Sequence, residues 1–158
     1  MGHYREWALS VDGVGAVRVT PLWKGPGTVR VLIAGYDRRP VDKAVAEACA
    51  RYIEARRPVG ADVTVVSAQA VVVDVSARVV LEAGASLGAV EREFTSKLNG
   101  YLAQTAFEEF TVYAHRVGAL LMSVAGVVDY RELTLNGAAD NLELGEDGVP
   151  VLGEVALT

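Results

Sequence analysis

From Val71 to Glu82 the chain alternates with a period of two. Val71, Val73, Val75, Ala77, Val79 and Leu81 fall on one side, and Asp74, Ser76, Arg78 and then Glu82 on the other. Successive side chains of an extended strand point to opposite faces, so this pattern predicts a long strand with one face on a core. Val72 and Val80 are apolar exceptions on the polar side. A strand of this length needs neighbouring strands for its backbone groups and a second layer for its apolar face. Gly84 ends it, and Ser86 is placed to cap a following helix that carries Leu87, Val90, Phe94, Leu98, Tyr101 and Leu102 at helical spacing.

The first half supplies the same ingredients. Residues 4–11 suit a short helix, and Gly13 and Gly15 permit a sharp change of direction. Val17 and Val19 alternate with Arg18 and Thr20. Lys24-Gly25-Pro26-Gly27 reads as a turn, and Val29, Val31 and Ile33 continue as the second arm of a hairpin. Val41, Val45, Ala48, Cys49, Tyr52 and Ile53 form one stripe of a helix over 41–56, which Pro58 stops. Asp62–Ser67 is a third strand. Residues 106–113 carry no clear period and lead into a short helix with Val117, Leu120, Leu121 and Val124. The fold class is α+β: two small sandwiches, each a mainly antiparallel sheet with helices on one face. The modules are 1–68 and 69–158. Ser10-Val-Asp-Gly13-Val14 echoes Ser123-Val-Ala-Gly126-Val127, 113 positions later, and two related modules would account for that.

The residues capable of chemistry are sparse. Gly13-Val14-Gly15 has Arg18 where a dinucleotide fingerprint needs glycine, and it leads from helix into strand, the reverse of a phosphate site. In Lys24-Gly25-Pro26-Gly27 the lysine precedes the glycines and Pro26 lacks a backbone donor, so a turn is favoured over a phosphate loop. His3 falls in a terminal tail. His115 opens a short helix beside Tyr113 and Arg116. A Cys49/His115 nucleophilic pair is conceivable, but Cys49 sits on an apolar stripe, where cysteine acts as a small hydrophobe. Glu143, Glu146 and Asp147 lack a calcium-loop pattern, and Asp147-Gly148 reads as a hairpin turn. Glu91, Glu93, Glu108 and Glu109 read as solvated faces. Arg38-Arg39 and Arg56-Arg57 read as surface flanking helices, and Trp7 and Trp23 as core or interface anchors. No catalytic, cofactor-binding or metal residues are assigned.

With 51% apolar and 22% charged residues, and with valine and alanine prominent, composition is that of a globular chain. Its 158 residues are enough to bury roughly 70% of the unfolded surface without staples. The net charge of −5 opposes non-specific binding to nucleic acid or anionic membrane. A single cysteine excludes an internal disulfide, and residues 1–15 have no continuous apolar run of the signal-peptide kind. A soluble protein of a reducing cytoplasm is expected.

The last third carries the family likeness. Gly126-Val127-Val128-Asp129-Tyr130, Leu133-Thr-Leu-Asn136-Gly137 and Val149-Pro150-Val151-Leu152-Gly153 run as helix end, strand, turn, short strand, turn and last strand. With Arg56-Arg57-Pro58-Val59-Gly60-Ala61-Asp62-Val63 and the segment from Trp7 to Trp23, these residues resemble the C-terminal part of the baseplate J-like proteins. Those proteins build the baseplate wedges of contractile phage tails and phage-derived tail particles. The likeness implies a non-enzymatic wedge component that contacts copies of itself and neighbouring wedge proteins, with no cofactor and no membrane anchor. It would be assembled in the bacterial cytoplasm and housed in a baseplate. The start at Met1-Gly2-His3 then looks like a cut in a longer protein, although a short homologue is possible. A terminal hairpin over 138–158 would offer Val149–Gly153 as an exposed strand for pairing with another chain. The alternative is a small-ligand or enzymatic α/β sandwich, which would need a pocket with converging polar groups. A nucleic-acid module would need exposed aromatics and a basic face, which the acidic balance disfavours.

Overall fold

A computed structural model describes residues 2–158. The chain divides into two compact units. One holds the residues up to Ala70 together with Asp147–Val149, and the other holds Val71–Glu146 and Pro150–Thr158.

The first unit runs α1 (Gly2–Leu9), β1 (Ala16–Pro21), β2 (Thr28–Ala34), α2 (Lys43–Glu54) and β3 (Asp62–Ser67). β1 and β2 form the expected hairpin, with Ala16 opposite Ala34 and Pro21 opposite Val29. β3 lies parallel to β2, Thr28 opposite Asp62. The sheet is therefore mixed rather than mainly antiparallel. α2 is the reason: a helix that carries the chain back along the sheet lets the next strand run the same way as the last. Tyr4, Ala8, Val11 and Val14 from the α1 segment meet Val17, Val29, Val31 and Ile33 of the sheet and Cys49 and Ile53 of α2. Each of the larger aliphatic side chains buried here contributes about 1.5–3 kcal/mol. His3 lies in α1, with its ring stacked on Trp7 at 5.7 Å between centroids, and not in a tail.

The remaining elements are β4 (Gln69–Leu81), α3 (Leu87–Thr105), β5 (Thr111–Val112), α4 (Ala114–Met122), β6 (Val127–Leu135), β7 (Leu142–Glu143) and β8 (Gly148–Leu157). β4 is the central strand of a sheet ordered β6-β4-β8, and β5 pairs with β7 in a separate ribbon. The alternation reads through: Val73, Val75 and Ala77 are buried, while Val72 and Val80 stand exposed. α3 lays Val90, Phe94, Leu98 and Leu102 on that core, at successive spacings of four. Its start is capped as expected, the Ser86 hydroxyl accepting from the Ala89 N–H at 3.3 Å.

Two expectations about the terminus are overturned. β7 and β8 do not pair with each other: β7 is two residues long and bonds to β5, whereas the ten-residue β8 has the reach to flank β4. The strand Val149–Gly153 is not freely exposed either, because Val149 and Pro150 are buried.

The echo between residues 10–14 and 123–127 extends to the backbone. The Ser10 N–H donates to Glu6 and Trp7 and Ser123 to Ala119 and Leu120. Val11 donates to Ala8 and Val124 to Leu121, and Val14 donates to Val11 and Val127 to Val124. Gly13 and Gly126 both hold φ +95, a conformation that ends a helix and is cheap only for glycine. The likeness is local: β1 pairs with its successor β2, whereas β6 pairs with the earlier strand β4.

Candidate functional site

The groups singled out for chemistry are not assembled for it. Cys49 is fully buried in the core of the first unit, and burial pushes its thiol up to about 11. A thiol in that state is neutral and shielded at physiological pH. His115 is exposed on α4, in the second unit. Among the described residues, no three His, Cys, Asp or Glu side chains converge to hold a metal ion. No helix among them is long and apolar enough to cross a membrane.

Each unit has an open depression, and several of its polar groups serve the fold. In the first unit a 390 Å³ hollow lies between Gly13, Gly35–Asp37, Pro40–Asp42 and Val45. There the Tyr36 hydroxyl accepts from the Gly13 N–H at 3.2 Å and the Asp37 carboxylate from the Arg39 N–H at 3.0 Å. A Cβ on Gly15 would collide with the Tyr36 backbone, so Gly13-Val14-Gly15 is a packing device. In the second unit a 530 Å³ hollow is lined by Glu82–Ser86, Ala89, Glu93 and Gly126. Ser86 is committed as a cap, and Glu93 accepts from the Ala125 N–H at 3.2 Å. Neither hollow is lined by a cysteine or a histidine.

The last-third residues that carry the family likeness lie on the strands flanking β4 and on the turn after β6. Asn136-Gly137 is a two-residue hairpin turn with φ +51 and +82, the type I′ signature, closed by mutual bonds between Leu135 and Ala138. The Asn136 side chain then turns back on the sheet. Its Oδ1 accepts from the Asp74 N–H at 2.7 Å and its Nδ2 donates to the Val72 carbonyl at 2.9 Å. A side-chain amide thus continues the ladder where the chain has left it. On the other edge of β4, the Asp74 carboxylate accepts from the Glu154 N–H at 2.7 Å. A Cβ on Gly153 would collide with that carboxylate. Gly118 likewise leaves room for the Tyr130 hydroxyl between α4 and β6. Of these, the motif positions Asn136 and Gly153 serve strand pairing.

Sequence reasoning missed two further roles. Asp147, read as a turn residue, takes a bidentate ion pair from Arg30 at 2.6 and 2.5 Å. Hydrogen bonding to Arg30, with the charge of Arg30 and Arg18 adding to it, holds its carboxyl below the usual range. Glu109, read as solvated, bonds Arg116 at 2.6 Å. The partners lie 117 and 7 positions apart, and only the second is close enough for a local pattern to signal it.

Comparison with known proteins decides the family. Residues 1–67 match the baseplate J-like central domain, and residues 73–158 match the baseplate J-like protein C-terminal domain. The chain belongs to the baseplate J-like family. The likeness is wider than the C-terminal portion inferred from the sequence, since the first unit matches the central domain. Two relatives from Bacillus subtilis (strain 168) are similar across nearly the whole chain. The uncharacterized protein YqbT is 34% identical over 97% of this chain, and the phage-like element PBSX protein XkdT is 32% identical over 98%. This baseplate J-like chain spans about half the length of those relatives, 46% and 47%. Its fold is similar to a chain in the sixfold-symmetrised baseplate of the anti-feeding prophage, with TM-score 0.66 at 17% identity over 96% of this chain and 37% of the other. Family and structural neighbour alike are structural baseplate components.

Proposed function

We propose that this chain is part of a baseplate wedge protein of a contractile tail or tail-like particle, and that it works by packing against neighbouring wedge proteins and copies of itself. The observation that carries this reading is the job done by the family residues. Asn136, Gly137, Gly153 and Gly126 serve turns and strand pairing, and none lines a reactive cleft. The match to a baseplate fold over 96% of the chain supports it. The chain catalyses no reaction and needs no cofactor. Its modules are 1–68 and 69–158, a division supported by the two compact units and the two family domains. The protein assembles in the bacterial cytoplasm and resides in the particle's baseplate. It switches by exchanging one set of packed interfaces for another of similar free energy.

The test is purification of intact particles from a producing strain, separation of baseplates from tubes and sheaths, and peptide mass spectrometry. Peptides of this chain are expected in the baseplate fraction at a fixed ratio to other baseplate proteins. Their absence from particles that contract normally would refute the reading.

A further inference from the structure

One end of the first unit displays apolar side chains on a rigid frame. β2 and β3 start side by side, so the β1–β2 turn and the loop before β3 lie at the same end of the sheet, and the Asp62 N–H donates to the Gly27 carbonyl at 2.7 Å. On these loops Val59 is fully exposed, Leu22 is 65% exposed and Trp23 is 37% exposed. The turn is firmly held. The Leu22 N–H donates to the Thr28 carbonyl at 2.8 Å, and the Thr28 hydroxyl bonds the Gly25 carbonyl at 2.6 Å and receives the Lys24 N–H at 3.1 Å. Leu22 itself sits at φ +57, a left-handed conformation that leucine rarely adopts and that the surrounding bonds impose. A braced tip loses little freedom on docking.

The charges around the tip and across the chain are uneven. The Lys24 ammonium stands 5.1 Å from the Trp23 ring centroid, and Arg30 flanks the same ring at 5.6 Å. Arg56, exposed just past the end of α2, lies over Tyr52. Counted by unit, the first has ten Lys and Arg against eight Asp and Glu, a balance of +2. The second has five against twelve, a balance of −7. The net charge of −5 thus conceals two units of opposite formal charge on one chain. Like-to-like contacts between copies of the second unit are repulsive and contacts of a first unit with a second are attractive, a heterologous arrangement that gives a ring where the rotation closes.

We infer that the tip formed by Leu22, Trp23, Lys24, Arg56 and Val59 docks on the acidic second unit of another copy of this chain. The inference rests on the baseplate reading and adds a surface and an occupant to it. The apolar residues supply contact area, and the lysine and arginine select an acidic face and orient it. The contact is heterologous, tip to second unit, and it weakens as salt rises.

A photocrosslinking residue in place of Trp23, incorporated into the protein within assembled particles, tests this. Heavy- and light-isotope copies are mixed during assembly, and crosslinked peptides are identified by mass spectrometry. The expected product joins position 23 of one copy to residues 71–146 of another, as mixed-isotope pairs. Lys24→Glu in the same background should lower its yield several-fold while leaving the circular dichroism unchanged. Crosslinks confined to one copy, or to a different protein, or no crosslink from particles that contain the chain, would overturn the inference and leave the baseplate reading standing. Absence of the chain from particles would overturn both.

Discussion

Replacing Asn136 by alanine isolates the device that ties β6 to β4. The substitution removes two side-chain bonds, from the Asp74 N–H at 2.7 Å and to the Val72 carbonyl at 2.9 Å. Each is worth about 0.5–1.5 kcal/mol net, toward the low end here because Asn136 is exposed and water can replace part of each bond. Alanine must also hold φ +51, which asparagine tolerates and alanine adopts at a cost of about 1 kcal/mol. The total is about 2–3 kcal/mol, or roughly 5–10 °C in Tm for a chain of this size. Asn136→Gly separates the two contributions, since glycine accepts the left-handed backbone and lacks the amide; it should cost only about 1–2 kcal/mol. Urea denaturation followed by circular dichroism measures both. If Asn136→Ala stays within about 0.5 kcal/mol of the parent, the amide is not a strand fastener and the structural reading of the family motif fails.

Further outcomes follow from the same structure. Cys49, with its thiol near 11, should be about one part in a thousand thiolate at pH 8, so a thiol reagent should label the native chain slowly and the denatured chain fast; fast native labelling would show that the α2 stripe is not buried. Cys49→Ser should cost about 1–3 kcal/mol by burying a hydroxyl among aliphatic side chains. Gly118→Ala should cost about 1–3 kcal/mol through collision with the Tyr130 ring, and Tyr130→Phe should relieve part of that cost by removing the hydroxyl; an unchanged melting temperature would contradict the packing. Arg30→Met should cost about 1 kcal/mol at pH 7. Because the Asp147 carboxyl is lowered in the folded state, the pair's stabilisation is full above the unfolded carboxylate range near 4. It is lost as pH falls through the lowered value, so parent and variant should converge in acid. A pH-independent gap would exclude the ion pair as its source.

Much of the scaffold is legible in the sequence because its signals are periodic and local. The alternation from Val71 to Glu82 marks a strand, found over Gln69–Leu81, and its core face, and Ser86 marks the start of a helix through its own hydroxyl. The stripe ending in Cys49 and Ile53 marks the buried side of α2. Pairing is a different kind of information. Nothing local tells β8 to flank β4 rather than β7, because that choice depends on strand length and on the Asp74 bond to Glu154, 80 positions away. The parallel β3 was within reach, since a strand, a helix and a strand in succession imply parallel pairing. The bond from Arg30 to Asp147 spans 117 positions and leaves no trace in either neighbourhood. Nor does Lys24-Gly25-Pro26-Gly27 disclose that the preceding Leu22 is held left-handed and exposed. Function stood furthest from the residues taken singly: side chains that fasten strands look inert, and only the family likeness gave them a purpose.

Deletion of the gene in a particle-producing strain, with electron microscopy of the lysate, tests the central claim most directly. Loss of complete contractile particles is expected, because sheaths and tubes lack a baseplate to grow from, and supplying the intact protein in trans should restore them. Normal particles with ordinary baseplates in the deletion strain would contradict the account.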